Sequence, residues 1–123
     1  MKAIALVFLG GGIGSSLRYL IGKNLNPVTV GFPWGTFTAN LIGSFLIGLI
    51  FGLVLHKSKL SDEFTLFLAA GFCGGFTTFS AYANESLNLL RSGNTGLFIV
   101  YALGSLILGL VFVWIGYFFI KVI

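Results

Sequence analysis

Four stretches of about 20 mostly apolar residues occupy nearly all of the 123-residue chain, and nothing constrains its fold more. They run over about 3–21, 34–55, 64–90 and 96–120. The hydrocarbon core of a bilayer is about 30 Å thick, and a helix crosses it in about 20 residues. The dividers, 22–33, 56–63 and 91–95, are polar or carry proline or charge and are too short to be domains. One all-α membrane domain over 1–123, with four transmembrane helices, is therefore expected. With 57% hydrophobic and 8% charged residues and a mean hydropathy of +1.04, a soluble fold is excluded. A domain this small cannot hide so much apolar surface from water. A single basic residue precedes the first stretch and three more stretches follow, so it reads as a retained span rather than a cleaved leader.

The charges support the same reading. The net charge is +4, but the basic residues are scattered singly near the ends of apolar runs. That is membrane-flanking charge, not the patch of a nucleic-acid binder. With one cysteine, Cys73, no intrachain disulfide is possible. Alternating spans put Lys2, Lys57, Lys59 and Lys121 on one side, against Lys23, Arg91 and Arg18 on the other. The positive-inside rule finds almost no bias in that distribution. Either the signal is simply weak in a small protein, or copies insert both ways and pair antiparallel.

The third span has an unusual middle, Gly71-Phe72-Cys73-Gly74-Gly75-Phe76-Thr77-Thr78-Phe79-Ser80. Paired glycines and β-branched threonines are poor helix formers. A broken helix is expected, with halves over about 64–72 and 80–90. Non-helical backbone at membrane depth needs protein or a watery cavity around it. Gly10 with Gly14, Gly48 with Gly52, Gly71 with Gly75, and Ser105 with Gly109 repeat the small-xxx-small spacing that lets helix backbones approach. Gly10-Gly11-Gly12-Ile13-Gly14 is no dinucleotide loop, because it lacks a preceding strand and a following acid at the required distance.

Several polar and aromatic residues inside the spans are candidates for chemistry. Asn40 is either an interhelical hydrogen-bonding group or an amide aimed at an anion, with Thr36 one turn earlier on its face. Phe79 and Tyr82 project from one face, and aromatic ring edges are positive enough to solvate an anion. Tyr101 and Ser105 make a hydroxyl row that serves either ion contact or packing. Arg18 and Glu85 are charges in or beside spans, where an isolated charge costs at least about 2.5 kcal/mol; they are a candidate pair within or between subunits. Ser61 before Asp62 and Glu63 reads as a helix N-cap. His56, beside Lys57 in a loop, has no partners at ligand spacing and reads as a solvated histidine. No nucleophile–base pair or catalytic metal set is present, so no enzyme is expected.

Three segments carry a family resemblance: Gly11-Gly12-Ile13-Gly14-Ser15-Ser16-Leu17-Arg18-Tyr19, Gly35-Thr36 through Asn40 to Gly43-Ser44-Phe45, and Gly74-Gly75-Phe76-Thr77-Thr78-Phe79-Ser80. In order and over the whole chain, they resemble the Fluc (CrcB) fluoride channels. The resemblance implies an antiparallel, dual-topology homodimer in the cell membrane. It would have two pores and broken third spans crossing at its centre. It implies a structural, non-transported Na⁺ held by the backbone carbonyls of Gly74 and Thr77. The family's pore phenylalanines map to Phe79 and Tyr82, its pore asparagine to Asn40 and its fourth-span polar residues to Tyr101 and Ser105; Thr36, one turn from Asn40, and Ser80, next to Phe79, join them as anion-pore candidates by position. Tyr82 stands where the family has a second phenylalanine, Ala81 where many members have threonine, and Gly109 where some have serine. A proton-coupled small multidrug transporter is the alternative, but it needs a carboxylate in the first span, which is absent here. A structural subunit without transport is a second alternative. A paralogue in place of an identical partner also stays open.

Overall fold

The structure, a computed structural model, describes residues 1–57 and 60–123; the charge counted on Lys59 and the side chain of Lys57 lie outside the described residues. The chain is all-helical: α1 (Lys2–Leu25), α2 (Trp34–Gly52), α3 (Asp62–Thr65), α4 (Gly74–Phe76), α5 (Phe79–Arg91) and α6 (Thr95–Val122). Two π-helical stretches, Leu53–Lys57 and Leu66–Cys73, continue α2 and join α3 to α4. Nothing in the residue pattern announces them. Four helical stretches of the described residues are long and apolar enough to cross a bilayer: Lys2–Leu25, Trp34–His56, Asp62–Arg91 and Thr95–Val122.

Local chemistry sets the helix ends. α1 stops at Leu25 because Asn26 precedes Pro27 and lies in extended backbone (φ −74°, ψ 137°), the conformation a following proline favours. Ser61 caps α3 as its sequence foretells: Oγ accepts the Phe64 N–H at 3.2 Å, with Asp62 and Glu63 in the first turn. The α5–α6 turn closes on Gly93 in the left-handed region (φ 78°). There the Asn94 N–H reaches the Leu89 carbonyl at 2.9 Å and the Gly93 N–H reaches Leu90 at 3.1 Å. That pairing satisfies carbonyls the helix end would leave bare.

Glycines decide how the spans pack. α1 lies along the Leu66–Cys73 stretch and α4, and α2 lies along α6. A Cβ at Gly10 or Gly14 would collide with the backbone of Phe67, Phe72 or Phe76, and one at Gly75 would strike Gly11. Gly48 meets the Val113 carbonyl, Gly52 meets Ile120, and Gly116 meets the Phe45 carbonyl in the same way. Backbones this close maximise dispersion contact, which drives helix association where lipid removes any hydrophobic gain. Gly109 departs from this pattern, since a Cβ there would sit 3.7 Å from Ser44 Oγ, an ordinary contact. Large apolar side chains such as Phe8, Leu110 and Trp114 are exposed on the outside of the chain.

Two expectations need correction. The third span stays helical through Gly74 and Gly75 to Phe76; only Thr77 (φ −84°, ψ 155°) and Thr78 (φ −148°, ψ 123°) are extended before α5 begins at Phe79. The glycines hold helical backbone against α1, and the β-branched threonines make the interruption. His56 is exposed, as its reading has it, but it lies in the π-helical stretch Leu53–Lys57 and not in a loop, with Nε2 2.7 Å from the Tyr117 hydroxyl.

A polar cleft beside the helix interruption

The interruption at Thr77 and Thr78 leaves backbone groups that need partners. Asn40 of α2 supplies them for Thr78: its Oδ1 accepts the Thr78 N–H at 2.8 Å, and its Nδ2 donates to the Thr78 carbonyl at 3.1 Å. The side-chain amide thus pairs with the extended residue as a neighbouring strand would. The Thr78 hydroxyl caps α5 by accepting the Ala81 N–H at 3.2 Å. Thr77 Oγ1 turns back to the Cys73 carbonyl at 2.8 Å. Its methyl packs where a Cβ on Gly43 would otherwise project.

These bonds release particular carbonyls. In an unbroken helix the Thr78 N–H would serve Gly74 and the Ala81 N–H would serve Thr77. Both donors are engaged elsewhere, so the Gly74 and Thr77 carbonyls lose their helical partners. Gly75 is compensated differently, by Arg18 of α1, whose Nε donates to its carbonyl at 3.1 Å.

Gly74, Thr77, Asn40, Phe79, Tyr82 and Ser105 all line one cleft of about 550 Å³. Among the described residues, no acidic or basic side chain lines it. Ser105 Oγ is buried there without a hydrogen-bond partner among the described residues. Asn40 Nδ2 keeps a second N–H beyond the one used on Thr78. The Phe79 and Tyr82 rings lie 5.7 Å apart, and Phe79 is 79% exposed on the flank of the chain. The Tyr82 hydroxyl makes one long bond, 3.4 Å to the Ala102 carbonyl. Neutral donors and ring edges around an uncharged cleft can replace part of the water shell of a small anion.

Thr36 and Tyr101 do not share that cleft. They converge on Glu85: Thr36 Oγ1 donates to Oε1 at 2.6 Å and the Tyr101 hydroxyl donates to Oε2 at 2.7 Å. Glu85 lines a second cavity of about 570 Å³, a mouth it shares with Asn26, Asn88, Arg91 and Ser92. Tyr101 also lies 5.2 Å from Tyr82, ring to ring, so the Glu85 cluster packs against a residue of the cleft wall. Ser80 is exposed, lies 3.3 Å from the Thr78 hydroxyl, and lines neither cavity. Arg18 and Glu85 do not meet within the chain, because each has found other partners. Sequence reasoning missed Ser44 and Thr78 in the cleft and Asn26 in the mouth. Small polar residues on a glycine-rich face were the only signal for the first two, and Asn26 reads as an ordinary residue before proline.

Comparison with known proteins follows the same lines. The family model described as CrcB-like protein, Camphor Resistance (CrcB), matches residues 5–117. The chain is 49% identical over 120 residues to a fluoride-specific ion channel FluC of Bacteroides fragilis, covering 94% of each. A protein of the same name from Phocaeicola vulgatus is 46% identical over 117 residues, 94% of this chain and 96% of that one. Another from Thermus thermophilus is 49% identical over 118 residues, 95% and 94% respectively.

Proposed function

The chain belongs to the CrcB-like family, and from that premise we propose that it is a passive, fluoride-selective channel of the cell membrane that lowers cytoplasmic fluoride. The observation that carries this reading is the cleft beside the interruption. It joins a Ser105 hydroxyl without a partner among the described residues, a spare Asn40 N–H and the rings of Phe79 and Tyr82. Fluoride holds its water tightly, so a pore must offer donors and positive ring edges in its place. Hydrofluoric acid crosses membranes as a neutral weak acid and ionises inside. A membrane potential negative inside then drives the anion outward without any further energy source.

The working unit is an antiparallel homodimer with two pores. Span 3 carries its interruption on a flank where Phe79 is 79% exposed, and four spans enclose too little protein to shield it. A second, inverted copy covers the flank and completes each cleft. The Gly74 and Thr77 carbonyls, stripped of their helical donors, suit a hard cation such as Na⁺, which prefers oxygen ligands. One chain offers two such oxygens, and an inverted partner doubles the number. When bound, the ion supplies fixed positive charge at the dimer centre and raises the anion potential of both pores. The proton-coupled transporter alternative finds no support, since α1 carries no acidic residue.

The test is fluoride efflux from liposomes holding the purified chain alone, with chloride as control. The wild type should release fluoride and retain chloride, and Phe79→Ile should cut fluoride release severalfold. No fluoride release from the wild type refutes the channel reading. Wild-type release from Phe79→Ile removes that ring from the path.

A further inference from the structure

α2 begins after Pro33, which has no side-chain oxygen to cap the helix. The cap comes from the end of α1 instead. Asn26 Oδ1 accepts the Gly35 N–H at 2.8 Å and the Thr36 N–H at 3.3 Å. Backbone N–H groups only donate, so these contacts identify the oxygen end of the amide. The nitrogen end therefore faces Thr36 Oγ1, at 3.3 Å. An amide nitrogen only donates and a carboxylate only accepts. The Thr36 hydroxyl must then accept from Asn26 and give its single proton to Glu85 Oε1, 2.6 Å away. Asn26 and Glu85 both line the second cavity.

We infer that Asn26 is a positioning residue of the ion path: it caps α2 with its oxygen and, with its nitrogen, fixes the direction of the Thr36 hydroxyl. The inference rests on the reading of the chain as a fluoride channel with Thr36 on the route. Two functions meet in one amide, and they separate chemically. Capping needs only an acceptor, whereas orienting the hydroxyl needs a donor.

Asn26→Asp separates them. The carboxylate keeps the cap and gains from the positive end of the α2 dipole, although it now faces Glu85 across the Thr36 hydroxyl, so the unfolding temperature should fall less than in Asn26→Ala, which loses the cap as well. It cannot donate, however. Thr36 Oγ1 then sits between two acceptors with one proton to share, and its hydroxyl is drawn toward Asn26→Asp and off Glu85. Fluoride efflux from liposomes should fall about tenfold, the scale of one charge-assisted hydrogen bond. Thr36→Val removes the hydroxyl and should lower efflux by a similar factor. In the Thr36→Val background, Asn26→Asp should have no further effect, because its target is gone.

The inference is overturned if Asn26→Asp conducts like the wild type, if it lowers the unfolding temperature as much as Asn26→Ala does, or if the two single losses multiply in the double variant. Multiplied losses would mean that the new charge acts on the anion directly rather than through Thr36. Failure of the underlying reading looks different: the wild type itself would then release no fluoride.

Discussion

Replacing Asn40 by alanine removes both bonds that hold Thr78 in extended backbone, at 2.8 and 3.1 Å. Interhelical hydrogen bonds in membranes average about 0.6 kcal/mol and reach about 1.7. A buried backbone group left bare costs about 1–3 kcal/mol. Thr78 is half-buried beside the cleft, so the lower end of that range applies to each of its two groups. The sum is about 2–3 kcal/mol. The chain has one escape. Thr78 can return to helical backbone and donate to Gly74, which recovers one bond. That forfeits the Thr78 cap on α5, worth about 1 kcal/mol, and closes the Gly74 carbonyl. Both routes therefore end near 2 kcal/mol, and both disturb the cleft. Asn40→Ala should lose about 2 kcal/mol in a denaturant titration in mixed micelles and most of its fluoride efflux in liposomes. Asn40→Asp, which keeps the acceptor for the Thr78 N–H but turns an anion toward the Thr78 carbonyl, should conduct no better. If Asn40→Ala kept its stability within about 0.5 kcal/mol and its efflux intact, the assignment of Asn40 as partner of the interruption would be wrong.

The close helix contacts and the Tyr82 hydroxyl give two further expectations. Gly75→Ala puts a Cβ into the backbone of Gly11, where no flexible side chain can yield, so α1 and α4 must separate. The cost should reach about 2 kcal/mol or more in the same titration; a change under about 0.5 would show that the contact is not tight. Tyr82→Phe loses only a 3.4 Å bond to the Ala102 carbonyl while keeping its ring beside Phe79. Its fluoride efflux should stay within about twofold of wild type, because so long a hydrogen bond is weak; a tenfold change would place the hydroxyl itself in the path.

Much was legible from local pattern. The four apolar stretches fix the number of spans, since the bilayer demands about 20 residues per crossing whatever the neighbours are. Ser61 is readable as a cap because capping is a short-range bond. The close packing of Gly10, Gly14, Gly48 and Gly75 is readable because helical spacing alone puts small residues on one face. The interruption of span 3 was legible as a region but not in its bounds. Propensity marks glycine and β-branched threonine alike, whereas contact with α1 keeps Gly74 and Gly75 helical and Asn40 draws Thr78 out.

What only the tertiary structure decided is which side chains face each other across different helices. The proposed pore residues look like one row in the sequence. In space they separate into a cleft around Asn40, Phe79, Tyr82 and Ser105 and a carboxylate cluster of Thr36, Tyr101 and Glu85. Arg18 and Glu85, which charge alone would pair, each settle on a nearer partner. Periodicity tells which face of its own helix a residue occupies. It does not tell the rotation and offset of that helix against the next, which glycine contacts fix through atoms far apart in the chain.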